Sequence, residues 1–500
     1  MLATVLGIAL FGGCARASTP CERLKDISLP HATVVGAAEV VAGSVKVCKV
    51  EVESHPTSDS DIRIEVWLPA SAAWNGRYVQ LGNGGLAGSI NSAPLQALAS
   101  AGYAAAGTDD GHQASPFDGR WALGHPEKVI DYGWRALKET TDAAKPLIIS
   151  LEGASARYAY FDGCSDGGRE ALMEAERFPD DFDGIIAGAP AADVTGLTAM
   201  FAFSVQQLAA PGAWLGPNAL NLLESSALAQ CAQGAKYIAD PQACRFDAMQ
   251  LVCRPGGDAA HCLTAGQAAA ANAIHHGVIA PDGTIVSPGY TVGGEAEPYP
   301  FGETGPPAAN WSTWLAGPSQ NKSASALAYL FASSYGALLQ DASYDILKFD
   351  PTSTTEAIKA LGRELNSNNA DLGRFEKRGG KLIQFHGWND AAIPAQASLA
   401  FFDDLRRKTP NSDQFYRLYM VPGMLHCFGG PGPQGVDWLG LVQAWVEKGE
   451  PPGLVVARPS GQGAAGVPPP IRPGDPTQPL CPYPARAADD GKSCLTEAAR

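Results

Sequence analysis

The sequence predicts an α/β fold, in which a mainly parallel sheet is flanked by helices and interrupted by a large inserted lid domain. Three observations carry this reading. Short apolar strands alternate with helical stretches up to residue 190, the alternation breaks between Ala191 and Leu365, and it resumes from Lys381 to Lys448. Such alternation lays strands parallel, because each crossover helix returns the chain to the same end of the sheet.

In the first part, residues 18–190, the apolar side chains of Val45, Val47, Val50 and Val52 recur at near-alternate positions. Past a polar turn, Ile62, Ile64, Val66 and Leu68 repeat the pattern and predict a hairpin at the sheet edge. Arg77 to Leu81 and Ala101 to Thr108 follow as strands, Asp131 to Gly153 as an amphipathic helix, Tyr158 to Asp162 and Ile185 to Ala187 as strands. Over residues 191–365 the strand signals weaken, and Trp311, Trp314 and many Pro and Gly residues mark the lid. The second part, residues 366–500, restores the rhythm with a strand at Lys381 to Phe385, a helix at Ala395 to Arg407, a strand at Phe415 to Val421 and a helix at Trp438 to Lys448. Beyond Pro451 a proline-rich tail is expected to wrap the surface, and no internal repeat is present.

A chain of 500 residues with 45% hydrophobic composition buries a large core. Its 36 basic and 51 acidic residues give a formal charge of −15, which works against phosphate backbones and anionic lipid, so nucleic acid is excluded as an expected partner. With 56 Gly, 38 Pro and only 17% charged residues, the composition suits the long ordered loops of an enzyme rather than a coiled coil.

Residues 1–17 read as a bacterial export signal, with an apolar run through Phe11 and an Ala15-Arg16-Ala17 cleavage site. The basic start typical of such signals is missing, and a buried N-terminal helix is the competing reading. Cleavage after Ala17 would release a secreted or periplasmic chain, the reading we prefer. Phe11-Gly12-Gly13-Cys14 also resembles an imperfect lipobox, and lipid on Cys14 would tether the chain to a membrane. No other stretch has the unbroken apolar length of a spanning helix.

Setting Cys14 aside leaves ten of the eleven cysteines, an even number in an exported chain and so a disulfide framework. Sequence alone does not fix the connectivity, but short spacing favours Cys21 with Cys48, Cys231 with Cys244, Cys253 with Cys262, and Cys481 with Cys494. Elimination then pairs Cys164 with Cys427 across most of the chain.

The strongest chemical signal is Gly163-Cys164-Ser165-Asp166-Gly167-Gly168, a G-x-S-x-G turn that follows a strand and opens the helix Arg169 to Phe178. So tight a turn strains the nucleophile's backbone and exposes its hydroxyl at the carboxyl end of the sheet. A serine hydroxyl needs a base, and the base needs an acid to orient it. His426, just beyond the penultimate strand, and Asp390, after the strand before it, stand where such a fold places base and acid. Taken singly, a loop His is usually a surface residue and a loop Asp a turn former. Together they gain weight because Cys164 immediately precedes Ser165 and Cys427 immediately follows His426, so a bridge would hold nucleophile and base together. A reactive thiol is disfavoured, since Cys164 is off the elbow position and an oxidising compartment consumes free thiols.

The chain resembles the tannase and feruloyl esterase family, which includes mono(hydroxyethyl) terephthalate hydrolases. The resemblance rests on ordered matches that include Trp74-Asn75-Gly76-Arg77, Gly82-Asn83-Gly84-Gly85, Gly163-Cys164-Ser165-Asp166-Gly167-Gly168-Arg169-Glu170, Ala187-Gly188-Ala189-Pro190, His386-Gly387, Pro422-Gly423-Met424, His426-Cys427 and Cys481-Pro482-Tyr483-Pro484. It implies an α/β-hydrolase fold with a large inserted lid domain and a carboxylic ester hydrolase in which Ser165 attacks, His426 moves the proton and Asp390 fixes the imidazole. It also implies an oxyanion hole from the backbone N–H groups of Asp166 and Gly85. Relatives often bind calcium in an acidic lid loop, but between Cys231 and Cys244 only Asp240 is acidic, too few oxygens for calcium, so no metal and no cofactor is expected.

His275 and His276 are adjacent on a helix and point about 100° apart, which argues against a shared metal and for solvated or capping histidines. Trp311, Trp314, Tyr329, Phe331 and Tyr335 line an aromatic acyl pocket or else form lid core. In the terephthalate-ester branch a lid arginine receives the free carboxylate. Here Arg245, Arg254 and Arg363 are the only arginines between Ala191 and Leu365, and none falls in the Asn321 to Tyr335 segment. The expected substrate is therefore a small aromatic ester of a hydroxycinnamic or gallic acid. Against it stand a terephthalate monoester or other aryl ester, a silent polyphenol- or carbohydrate-binding protein on the same scaffold, and a metal-dependent hydrolase. An intact triad, elbow and glycine loop favour catalysis over binding alone.

Overall fold

In the computed structural model, residues 18–258, 260–299, 308–459, 476–488 and 490–495 are described. The export signal, Cys14 and part of the proline-rich tail lie outside the described residues.

Nine strands form one sheet: β1 (Ala32–Ala42), β2 (Val45–Ser54), β3 (Ile62–Pro69), β4 (Arg77–Leu81), β5 (Ala104–Thr108), β6 (Tyr158–Cys164), β7 (Gly184–Gly188), β8 (Lys381–Gly387) and β9 (Tyr416–Val421). Their order is β1-β2-β3-β5-β4-β6-β7-β8-β9. The first three strands and the β3–β5 contact are antiparallel; from β5 through β4, β6, β7 and β8 to β9 every pairing is parallel. The expected hairpin is β2 and β3, but it is not the edge. β1 lies outside it, paired along β2 with a bulge between Val34 and Gly36. Its Gly and Ala content hid it, since only Val34, Ala37 and Ala42 of its residues are buried and no clean alternation results.

Within the parallel strands, neighbouring residues pack to opposite faces, as the period of two requires. Tyr78, Phe161, Ile185, Leu382 and Leu418 join the core on one face, with Leu147 from α2 (Ala136–Glu152), Leu172 from α3 (Asp166–Arg177) and Leu405 from α9 (Ala395–Lys408). Val79, Tyr160, Ile186, Ile383 and Tyr419 join the other, with Leu95 from α1 (Ser92–Ser100) and Trp445 from α10 (Trp438–Lys448). At about 25 cal/mol per Å² of apolar surface removed from water, such two-sided burial dominates the stability of the sheet. The helix expected from Asp131 begins earlier, as an α turn at Pro126–Ile130, passes through one π turn at Asp131–Arg135 and then runs as α2 to a left-handed Gly153.

Between β7 and β8 the chain carries α4 (Val194–Ala209), α5 (Pro217–Cys231), α6 (Ala265–His276), α7 (Ala326–Leu338) and α8 (Glu356–Leu365). Phe201, Leu220, Ile274, Trp311 and Ala332 build a separate core there, and Ala391, Ala392, Ile393 and Leu425 from the loops after β8 and β9 are part of it. The connection is therefore packed on the carboxyl ends of those strands.

Candidate active site

The β6–α3 turn is shaped by close backbone approach. A Cβ on Gly163 would collide with the backbone of Gly167, and one on Gly168 with Gly188 and Pro190. Between these glycines Ser165 sits at φ 68° and ψ −121°, the strained elbow that lifts its side chain off the sheet. Two strands away, the loop after β8 brings Asp390, and the loop after β9 brings His426. The His426 Nδ1 lies 2.7 Å from Asp390 Oδ2, and its Nε2 lies 2.8 Å from Ser165 Oγ. The other carboxylate oxygen, Oδ1, accepts the N–H groups of Ala392 and Ile393 at 2.8 Å each. Burial alone would raise the Asp390 carboxyl, but His426 and His386 together outweigh it and hold the group below the ordinary carboxylate range.

The cysteines pair as spacing and elimination favour: Cys21–Cys48, Cys231–Cys244, Cys253–Cys262 and Cys481–Cys494, with Cys164–Cys427 left over. Five such bonds are characteristic of an oxidising compartment. No helix among the described residues is long and apolar enough to cross a membrane.

The glycine loop after β4 lies beside this turn. Asn83 accepts the Gly167 N–H at 2.7 Å through its carbonyl, and its own N–H donates to Glu170 Oε2 at 2.9 Å. Gly85 has φ 66°, and a Cβ there would strike the Pro116 carbonyl. Among the described residues no backbone hydrogen bond uses the N–H of Gly85 or of Asp166, and both residues line the same cavity as Ser165. The Asp166 carboxylate is held by buried Arg169 and by the Tyr132 hydroxyl at 2.9 Å. Behind it Asp110, Asp166 and Glu170 bring carboxylate oxygens within 4.8 Å of one another. Burial and the charge of Asp166 push Glu170 up to about 7, and burial with the charge of Glu170 raises Asp110 well above the ordinary carboxylate range.

The cavity over Ser165 measures about 380 Å³ and is walled by Leu86, Phe117, Phe201, Trp314, Phe331 and Phe428. Phe331 stacks on Phe201 with ring centroids 5.1 Å apart and meets Phe117 edge-on at 5.9 Å. No Lys or Arg among the described residues lines it. Of the five aromatics named from sequence, only Trp314 and Phe331 reach the cavity. Trp311 and Tyr335 are core, and Tyr329 is exposed.

Sequence reasoning missed the groups that tie the β7–β8 connection to the loops carrying Asp390 and His426. The Tyr299 hydroxyl donates to the His426 carbonyl at 3.0 Å, Trp314 meets the His426 ring edge-on at 5.2 Å, and the Asn310 amide donates to the Asn389 carbonyl at 2.8 Å. It also misread His275. The two adjacent histidines do diverge, but only His276 is solvated. His275 turns inward, with Nδ1 3.0 Å from the Tyr290 carbonyl and Nε2 3.2 Å from buried Glu295, whose carboxylate accepts the Gly293 and Gly294 N–H groups. Its partners lie well along the chain, beyond the reach of helical periodicity. Asp240, the one acid between Cys231 and Cys244, pairs with Arg486 at 2.6 Å.

Comparison with known proteins follows the same lines. Residues 48–500 match the family described as tannase and feruloyl esterase. An esterase of Xanthomonas campestris is 33% identical over 100% of this chain and 93% of its own. Feruloyl esterase B of Aspergillus niger is 28% identical over 90% of this chain and 91% of its own. An esterase from Aspergillus oryzae superposes with a TM-score of 0.80 at 25% identity, covering 93% of this chain and 96% of its own. Feruloyl esterase B from the same organism reaches 0.81 at 23% identity over 95% and 99%, a likeness of fold. The chain belongs to the tannase and feruloyl esterase family of carboxylic ester hydrolases, on an α/β-hydrolase fold.

Proposed function

We propose that this chain is an exported serine esterase that cleaves esters of aromatic acids, hydroxycinnamates before gallates, through an acyl-enzyme and without a cofactor. The observation that carries the reading is the Asp390–His426–Ser165 chain of hydrogen bonds opening into an aromatic cavity with no basic side chain. Ser165 Oγ attacks the ester carbonyl while His426 Nε2 takes its proton, and Asp390 holds the imidazole with Nδ1 protonated. The oxyanion gathers at the N–H groups of Asp166 and Gly85. His426 then returns the proton to the leaving alcohol, and water repeats the sequence on the acyl-enzyme to free the acid.

Residues 191–365 act as the lid and supply the acyl wall. A planar cinnamoyl group suits the Phe117, Phe201 and Phe331 faces. A galloyl ring presents three hydroxyls, while polar side chains on the wall are few, Thr198 and Asn91 among them. A terephthalate monoester would bury its carboxylate without a cation, which is costly. The five disulfides support export.

The deciding experiment is hydrolysis of methyl ferulate, chlorogenate, methyl gallate and a terephthalate monoester by wild type beside Ser165→Ala. Release of ferulate and caffeate by wild type alone is expected. Activity retained in the variant would refute the nucleophile, and a preference for the terephthalate monoester would refute the acyl class.

A further inference from the structure

His386 is the penultimate residue of β8, four positions before Asp390, and is wholly buried. Its Nδ1 lies 2.7 Å from Ser398 Oγ, and that hydroxyl lies 2.7 Å from the Gln384 amide nitrogen, which only donates. The Gln384 amide is oriented in turn by the Tyr416 hydroxyl, which donates to its Oε1 at 2.8 Å. The proton of Ser398 is thus directed to His386 Nδ1. On the other side of the ring, Nε2 faces the Ile393 carbonyl at 3.1 Å and Asp390 Oδ2 at 3.2 Å, both acceptors only. A ring nitrogen that receives a hydroxyl proton is unprotonated, and one between two acceptors carries hydrogen. The imidazole is therefore neutral with its hydrogen on Nε2.

Resting on the triad reading above, we propose that His386 is a positioning residue. Its Nε2–H, shared between Ile393 and Asp390, fixes the loop that holds the carboxylate and draws charge from the same Oδ2 that grips His426. It thereby sets the pH at which His426 becomes a free base. Among the described residues, the other titratable groups facing Asp390 are His426, from the loop after β9, and Tyr290 and Tyr299, from the β7–β8 connection. Burial raises both phenols, with the Asp390 charge adding to it, so they stay neutral across the working range.

Without the Nε2–H, charge concentrates on Oδ2 and the His426 imidazolium is favoured. In His386→Phe the acid limb of kcat/KM for methyl ferulate should move up by about one pH unit and kcat should fall roughly tenfold, with KM little changed. His386→Gln, whose amide N–H reaches the Nε2 position, should restore the limb. A purely structural role would lower activity without moving it, and an unmoved limb in His386→Phe overturns the proposal. Should the phenylalanine variant not fold, the wild type decides. In ¹⁵N-histidine-labelled protein, the resonance lost in His386→Gln should show an unprotonated Nδ1 and a protonated Nε2 from pH 5 to 9. A titrating ring, or one protonated at Nδ1, overturns it independently of any ester hydrolysis.

Discussion

Cys164 and Cys427, 263 positions apart, are joined by a disulfide whose two ends are the immediate chain neighbours of Ser165 and His426. The elbow leaves β6 and the histidine loop leaves β9, with β7 and β8 between them. This covalent bond holds the two loops in register beside the Ser165–His426 hydrogen bond and the packing around them. Cys164→Ala with Cys427→Ala is expected to fold, because both sheet faces keep their cores, and to lose between about tenfold and a hundredfold in kcat. Stopped assays of the double variant beside its circular dichroism spectrum check this; unchanged turnover would make the bond incidental.

Gly85 is expected to tolerate no side chain. Gly85→Ala drives a Cβ into the Pro116 carbonyl at a φ of 66° and shifts the N–H assigned to the oxyanion. kcat should fall about a hundredfold with KM near wild type, the signature of a contact made only in the transition state. A change confined to KM would remove Gly85 from that role.

Phe331 tests the acyl wall. Phe331→Ala removes a ring that stacks on Phe201 and meets Phe117, and should raise KM for methyl ferulate roughly tenfold while leaving p-nitrophenyl acetate almost unaffected. Equal losses on both esters would point to a collapsed lid instead.

Glu170 gives a pH signature in stability. Its folded carboxyl is pushed up to about 7 from an ordinary value of 4.5. The folded state therefore holds a proton that the unfolded chain has released, and the benefit, complete at low pH, fades as pH rises from 4.5 towards 7. Glu170→Gln keeps an oxygen for the Asn83 N–H and needs no proton, so its Tm should decline less than that of wild type between pH 5 and 8. A gain of roughly 2 °C over wild type at pH 8 is expected. Parallel melting curves at both pH values would show that the carboxyl is ionised in the fold.

The parallel strands and the elbow were legible because their signals are local: period-two apolar runs, and glycines on both sides of Ser165. Asp390 and His426 were legible through position after strands and through the cysteines beside Ser165 and His426. What stayed hidden depends on contacts between distant segments. β1 carries little alternation because Gly and Ala fill much of it and only Val34, Ala37 and Ala42 are buried. Tyr299, Asn310 and Glu295 sit in sequence without motif, and they acquire meaning only when the β7–β8 connection folds onto the loops after β8 and β9. His386 was visible as part of His386-Gly387, but its role depends on Ser398 and Gln384 meeting it across α9 and β8.

Ala391, Ala392 and Ile393 directly follow Asp390, yet they are packed into the core of the connection that walls the cavity over Ser165. Selectivity and reactivity are therefore not separate variables in this molecule. A substitution that reshapes the wall to admit a bulkier acid also presses on the peptide whose N–H groups hold Asp390. Adaptation to new esters should consequently proceed by exchanges at the cavity surface, such as Phe117 or Thr198, while the interior of the connection stays fixed.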